Sequence, residues 1–194
     1  GVVNLILGNT YENGEISGEG LSYSELRNGK WTSPANFTIK GFKNKSGYAD
    51  FFVSEDGKHM LISAEMDDSK GGRDIYISHR IGKKAWDTPI NLGVLNTPGE
   101  DTSPSFSPDG RFLFYSSDGQ EGYGGLDIFY SVKQGDNWNE WSGPKNLGNQ
   151  LTVMTTSTLA SHQLGKRYTS SLATSREIRI FTHLSPLRRS CTRN

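Results

Sequence analysis

Residues 112–117, Phe-Leu-Phe-Tyr-Ser-Ser, and 127–132, Asp-Ile-Phe-Tyr-Ser-Val, are short apolar runs bounded by Gly, Asp and Ser, and runs of this kind recur through the first 151 residues. Such length, with aromatic and β-branched side chains, predicts strands. No stretch carries a sustained 3.6-residue apolar period with caps, so helices are not expected. In the best-formed stretch, Ser105 to Ser107 predicts a short strand, Asp109-Gly110 a turn and Phe112 to Ser116 a strand too apolar to lie at an edge. Asp127 to Val132 predicts a third strand and Trp141 to Leu147 a short fourth one. Gly110 suits the turn because glycine accepts a positive φ. Pro108 presets φ ahead of it, and Pro104 is expected to stop the entering strand from extending backwards.

The same units repeat. Trp31, Trp86 and Trp141 stand 55 residues apart, as do Pro34, Pro89 and Pro144, and Asn36, Asn91 and Asn146. Ser54-Glu55-Asp56-Gly57 returns 53 residues later as Ser107-Pro108-Asp109-Gly110. Gly71-Gly72-Arg73-Asp74-Ile75-Tyr76 likewise returns as Gly124-Gly125-Leu126-Asp127-Ile128-Phe129. Gly18 to Tyr23 is a weaker echo 53 residues before Gly71, which sets Leu21 at the Asp position. A period of this size marks a solenoid, a propeller or an array. Four short antiparallel strands per unit are the blade plan of a β-propeller. The expected fold is therefore all-β, a partial and open propeller with units at about 1–36, 37–91 and 92–146 and a further one starting at 147. The motif residues with structural roles are Ser54, Asp56, Gly57, Gly72, Asp74, Trp86, Pro89, Ser107, Pro108, Asp109, Gly110, Gly125, Asp127, Trp141 and Pro144.

Ser107 to Ser117, followed by Gly-Tyr-Gly-Gly-Leu-Asp-Ile-Phe at 122–129, resembles the WD-repeat-like propeller repeat of the Pro-Asp type found in TolB-like proteins. With Trp-x-x-Pro-x-Asn-Leu-Gly at 86–93 and Leu-Asn-Thr at 95–97, the string is most similar to the propeller segment of OmpA-family cell-envelope proteins. The resemblance covers about residues 16–151. It implies a periplasmic or outer-membrane location and a peptidoglycan-binding domain elsewhere in the full protein.

Composition changes the picture at one point. The chain has 21 basic and 21 acidic side chains, which alone suggests neutrality. Residues 1–151 hold 14 Lys/Arg against 20 Asp/Glu, whereas residues 152–194 hold 7 against 1. The acidic propeller surface excludes nucleic acid and anionic lipid as expected partners. No apolar run approaches the roughly 20 residues of a membrane span. After Leu151 the repeat stops where the next unit is due. Shifting the reading frame by one base, with synonymous codons chosen throughout, makes residues 152–186 compatible with Leu-Asn-Ser after Leu151, a Tyr-Pro-Ser-Ile strand, a turn, Leu-Tyr-Phe, Ser-Ser and Asp-Ile-Tyr, in repeat order. The segment 152–194 is read as out of frame; the alternative is a basic Ser/Thr-rich tail, disordered or bound to an anion.

The candidate chemistry is sparse. The acidic loops at 67–74 and 118–127 could offer calcium oxygen ligands, but neither has EF-hand spacing and Lys70 and Arg73 oppose it, so turns with Asp bonded to backbone N–H groups are expected and no metal. His59 and His79, the only histidines of the first 151 residues, are expected as surface strand residues; there is no Gly-x-Ser-x-Gly elbow, and Cys191 lies in the suspect tail. The repeated tryptophans are expected to wedge between blades, and the unmatched Trp138 to make an exposed contact. The expectation is a binding or scaffold module without catalytic residues or cofactor, engaging a protein or cell-wall component and able to self-associate through open propeller edges. The alternative is the propeller of a hydrolase, a glycoside hydrolase or a peptidase, whose catalytic part lies elsewhere.

Overall fold

The computed structural model describes residues 4–148 and the strand Ile180–Phe181. The reading of 152–194 as out of frame or disordered otherwise lies outside the described residues. Every described element is a strand, and the strands form three sheets in chain order, three blades of an open propeller. Among the described residues, no helix is long and apolar enough to cross a membrane.

Blade 1 pairs β1 (Asn4–Glu12) with β2 (Glu15–Arg27). Asn13 and Gly14, with φ of 53° and 86°, make the turn between them, as Asn-Gly does when both central residues are left-handed. The outer strand is split into β3 (Lys30–Trp31) and β4 (Ala35–Asn36) around Pro34. A two-residue β15 (Ile180–Phe181) pairs in parallel with β1 at residues 6 and 7. Blade 2 holds β6 (Asp50–Val53), β7 (His59–Ala64), β8 (Asp74–Gly82), β9 (Ala85–Trp86) and β10 (Ile90–Asn91), with β5 (Thr38–Ile39) alongside β9. Blade 3 is β11 (Asp101–Phe106), β12 (Phe112–Ser117), β13 (Asp127–Val132) and β14 (Lys145–Asn146). Pro89 and Pro144 split or start the outer strands as Pro34 does, where no ladder donor is needed.

Two expectations need correction. β11 starts at Asp101, with Pro104 inside it rather than ahead of it. The ladder slips between Thr102 and Ser105, where Ser103 has a φ of 52°, so the proline sits at a bulge of an edge strand. The first blade also aligns one residue away from its sequence echo. Asn36, Asn91 and Asn146 pair with Ser22, Tyr76 and Phe129, so Ser22, not Tyr23, is the equivalent of Tyr76. The position of Asp74 and Asp127 is then taken by Gly20, not Leu21. A slip of one reverses the face, which explains why Leu21 and Tyr23 point into the interface with blade 2.

The core is two slabs between adjacent blades. The first joins Ile6, Leu21 and Tyr23 of blade 1 to Phe51, Val53, Met60, Ile62, Tyr76 and Trp86 of blade 2. The second joins Leu61, Ile75 and Ile77 of blade 2, with Leu92 and Leu95 of the connection, to Phe106, Leu113, Tyr115, Phe129 and Trp141 of blade 3. Each buried tryptophan belongs to the later blade and packs on the earlier one. Trp31 has no earlier blade among the described residues and is 48% exposed.

A candidate binding cleft between two repeated turns

The Ser-x-Asp-Gly motif builds the same loop twice. Ser54 Oγ donates to Asp56 Oδ1 at 2.7 Å and accepts from His59 N at 2.9 Å, while Asp56 Oδ1 accepts from Lys58 N. Ser107, Asp109, Arg111 and Phe112 repeat these bonds. Gly57 N donates to Ser54 O and Gly110 N to Ser107 O, so the residues between them turn the chain and each glycine, at φ of 70° and 68°, returns it to the strand. The turn centres on Pro108-Asp109, which differs from the two-residue Asp-Gly turn expected. Both aspartates are held below the usual carboxylate range: at Asp56 burial pushes the carboxyl up but is outweighed by the hydrogen bonds from Ser54 and the Lys58 N–H, and at Asp109 the Ser107 bond dominates.

The two glycines differ in what surrounds them. A side-chain carbon on Gly57 would meet nothing, whereas one on Gly110 would come within 2.6 Å of the Trp138 ring. Gly57→Ala is expected to cost about 1–2 kcal/mol, the penalty for a left-handed L-residue. Gly110→Ala is expected to cost more, because the indole must also move; urea denaturation of the two variants checks the order.

The two turn apices flank a cleft of about 660 Å³ between blades 2 and 3. Phe52, Phe106 and Trp138 form its floor, Glu55, Asp56 and Asp109 line its rim, and among the described residues no basic side chain lines it. Trp138 is half-buried rather than an exposed contact: His59 stacks on it at 4.0 Å and 18°, Phe106 meets it edge-on, and Lys133 Nζ lies 4.3 Å from the ring centre. The histidines are likewise not free surface residues. His59 and His79 face one another across β7 and β8 with their Nδ1 atoms 2.9 Å apart, and His79 Nε2 meets Asn139 Oδ1 at 3.1 Å. If His79 Nε2–H donates to Asn139, its Nδ1 must accept, so His59 donates from Nδ1 and the pair holds one proton between the facing nitrogens.

This arrangement is sensitive to acid. Burial pushes His59 below its ordinary value, aided by His79, Lys133 and Lys58 and opposed by Asp56. A folded value below the unfolded one means that the unfolded chain takes up the proton first. Stability is therefore expected to be full above about pH 6.5 and to fall as pH drops through the folded value of His59, with a further loss below about pH 4 as Asp56 protonates. Melting temperatures between pH 8 and 5 should show the first decline, and His59→Gln should flatten it.

The buried aspartates of the Gly-Gly-x-Asp motif hold the outer strands. Asp74 Oδ2 accepts from Lys70 N at 3.0 Å and from Asn91 Nδ2 at 2.9 Å; Asp127 Oδ2 accepts from Tyr123 N and, at 3.5 Å, from Asn146 Nδ2. Asn96 extends the first network to Ile75 and Asn91, locking the connection between blades. In blade 1, where glycine replaces the aspartate, Asn36 bonds to Tyr11 and Ser22 instead. A further element escaped the sequence reading: Ser24, Ser78 and Ser131 each donate to the carbonyl of the residue after the repeated tryptophan. The acidic loop residues are engaged internally, Asp67 with Lys45 and Asp68 with Tyr76, and among the described residues no three His, Cys, Asp or Glu side chains are grouped to hold a metal. Gly72 lies against Glu100 of the connection to blade 3, while its equivalent Gly125 faces open space.

Fold and cleft define a partial β-propeller with a polar-rimmed, apolar-floored notch between blades. Over 98 residues, half of this chain, it is 31% identical to the Tol-Pal system protein TolB of Nitratidesulfovibrio vulgaris. The matched stretch spans 20% of that protein's length. No family profile matches the chain, and no solved structure matches it significantly.

Proposed function

We propose that this chain is a non-enzymatic binding and scaffold module, part of the propeller of a bacterial cell-envelope protein located in the periplasm or at the outer membrane. The observation that carries the reading is the 31% identity to a Tol-Pal system protein over half of the chain. The Trp-x-x-Pro-x-Asn-Leu-Gly and Leu-Asn-Thr segments support an OmpA-family context, in which the propeller displays a surface and a separate domain holds the cell wall. The cleft suits recognition rather than turnover. Its acids sit on repeated turns that serve the backbone, and the half-buried histidines are bonded to one another and to Asn139.

The test is co-sedimentation of the purified chain with peptidoglycan sacculi, and cross-linking to purified Tol-Pal components, alongside assays on glycoside, ester and peptide substrates. Saturable binding that weakens when Glu55 and Asp109 are replaced by Gln and Asn supports the reading. Turnover of any of these substrates by the chain overturns it.

We further infer that residues 152–194 come from a one-base shift at about codon 151, and that the intended frame encodes the next blade. The restored order of repeat motifs from Leu151 onward supports this. An uninterrupted frame read from the nucleotides of independent clones would refute it.

A further inference from the structure

Neighbouring strands of a blade run antiparallel, so each blade sends its loops to two opposite ends. The turn end carries the Ser-x-Asp-Gly turns, the hairpins leading to the repeated tryptophans, and the cleft between blades 2 and 3. The connection end carries the tip of the β1–β2 hairpin at 9–19, the loops 65–73 and 118–126, and the links between blades at 43–50 and 93–100. Hydrogen bonds join these segments into one surface. Asn44 Nδ2 donates to Glu19 Oε2 at 2.8 Å and Glu65 N to Asn44 Oδ1 at 3.0 Å. Gly72 N donates to Gly99 O at 3.1 Å, and Glu100 N to Asp118 Oδ1 at 2.7 Å.

Two properties set the connection end apart. Ile16, Tyr48, Val94, Tyr123 and Leu126 are exposed on it, Tyr48 by 70% and Tyr123 by 67%. Charge is the second property. The connection-end segments hold ten Asp/Glu and four Lys/Arg, whereas the turn end, at 25–31, 54–59, 79–86, 107–111 and 133–141, holds six and eight. The acidity of the propeller is therefore gathered at one end. Three of the four cations there are engaged internally. Lys45 pairs with Asp67 at 2.9 Å, Lys70 donates to the Gly93 and Asn96 carbonyls, and Arg73 bridges Glu100 and Asp50. Glu12 and Glu15 stand directly opposite one another across the hairpin, a pairing of like charges that is destabilising by itself. Among the described residues neither has an ion-pair partner.

We propose that the connection end is a docking surface for a Lys/Arg-rich segment of another protein. The exposed tyrosines and aliphatic side chains mark a contact surface, because aromatic anchors dominate protein interfaces. The uncompensated carboxylates select the partner. A cationic segment relieves the repulsion between Glu12 and Glu15, and its ammonium or guanidinium groups stack on the rings of Tyr48 and Tyr123. The loops are already bonded to one another, so docking requires little further ordering of the surface. This surface lies at the end opposite the cleft and does not depend on the cell-envelope reading.

The experiment is a fluorescence anisotropy titration of the full 194-residue chain against a dye-labelled peptide of Arg, Lys and Ser, with a peptide of Glu and Ser as control. Chelator is present, and low and high salt are compared. Saturable binding of the basic peptide alone is expected, weakening as salt screens exposed charges. Glu12→Gln combined with Glu15→Gln is expected to weaken it about threefold to tenfold, and Tyr48→Ser combined with Tyr123→Ser about fivefold or more. Asp136→Asn combined with Glu140→Gln, at the turn end, is expected to leave it unchanged. All six side chains are exposed, and circular dichroism checks the fold of each variant. Equal binding of both peptides, insensitivity to both connection-end pairs, or an equal loss from the turn-end pair overturns the proposal. So does binding that appears only when calcium replaces the chelator, which would assign the carboxylates to a metal ion. Loss of sacculus binding through Glu55 and Asp109 leaves these results unmoved, so the two readings fail separately.

Discussion

Trp86→Ala is expected to remove about 3–5 kcal/mol of stability, the cost of truncating a buried aromatic to leave a cavity. The side chain is fully buried, and it packs where β9 of blade 2 meets the face of blade 1. Phe37 meets its ring edge-on and the Arg80 guanidinium lies 4.7 Å above it. Small domains are stable by only about 5–15 kcal/mol, so the loss takes a large share of the total. Denaturant unfolding followed by circular dichroism would measure it. The blade 1/2 slab should loosen first, and amide exchange should therefore rise in β1, β2 and β7 before β12 and β13. A loss below about 1 kcal/mol would mean that the tryptophan is not a wedge between blades.

Asp74→Ala is expected to cost about 2–4 kcal/mol, since hydrogen bonds to a charged acceptor contribute about 1.5–3 kcal/mol each and the donors left behind are partly buried. The carboxylate is fully buried and receives the Lys70 amide and the Asn91 side chain, which in turn fixes Asn96 and the connection to blade 3. Asp74→Asn keeps one acceptor oxygen and should cost less. A double-mutant cycle of Asp74→Ala with Asn91→Ala should show coupling, because both substitutions break one network. If the two effects add, Asp74 acts through its own packing and not through the asparagine.

The repeat was legible because its determinants are local. The Ser-x-Asp-Gly turns are closed by bonds within five residues, and of the tryptophans that recur at one spacing Trp86 and Trp141 each wedge against the blade before their own. What escaped depends on pairing across long separations. The hairpin at Asn13-Gly14 carried its own turn signal, but the strands it joins lack the aromatic runs of the later blades. His59, His79, Trp138 and Asn139 come from two blades, and nothing in their spacing shows that β7, β8 and the loop after β13 bring them together. Pro104 misled because its effect on a strand depends on whether the strand lies at an edge, which only the sheet order tells.

The one-residue offset of blade 1 bears on how such molecules diversify and how their members are counted. A blade that gains or loses one residue ahead of its third strand would turn every side chain to the wrong side, unless an irregularity absorbs the change. The ladder of blade 1 slips between Gly8 and Tyr11, opposite Gly18 to Gly20, and past that point its strands regain their proper faces. Duplication followed by single-residue insertion can thus erase a repeat from an alignment while leaving it intact in space. Blades sought by a fixed period will be undercounted. Those sought by the serine that bonds the carbonyl after the tryptophan, present in all three here, should survive that drift.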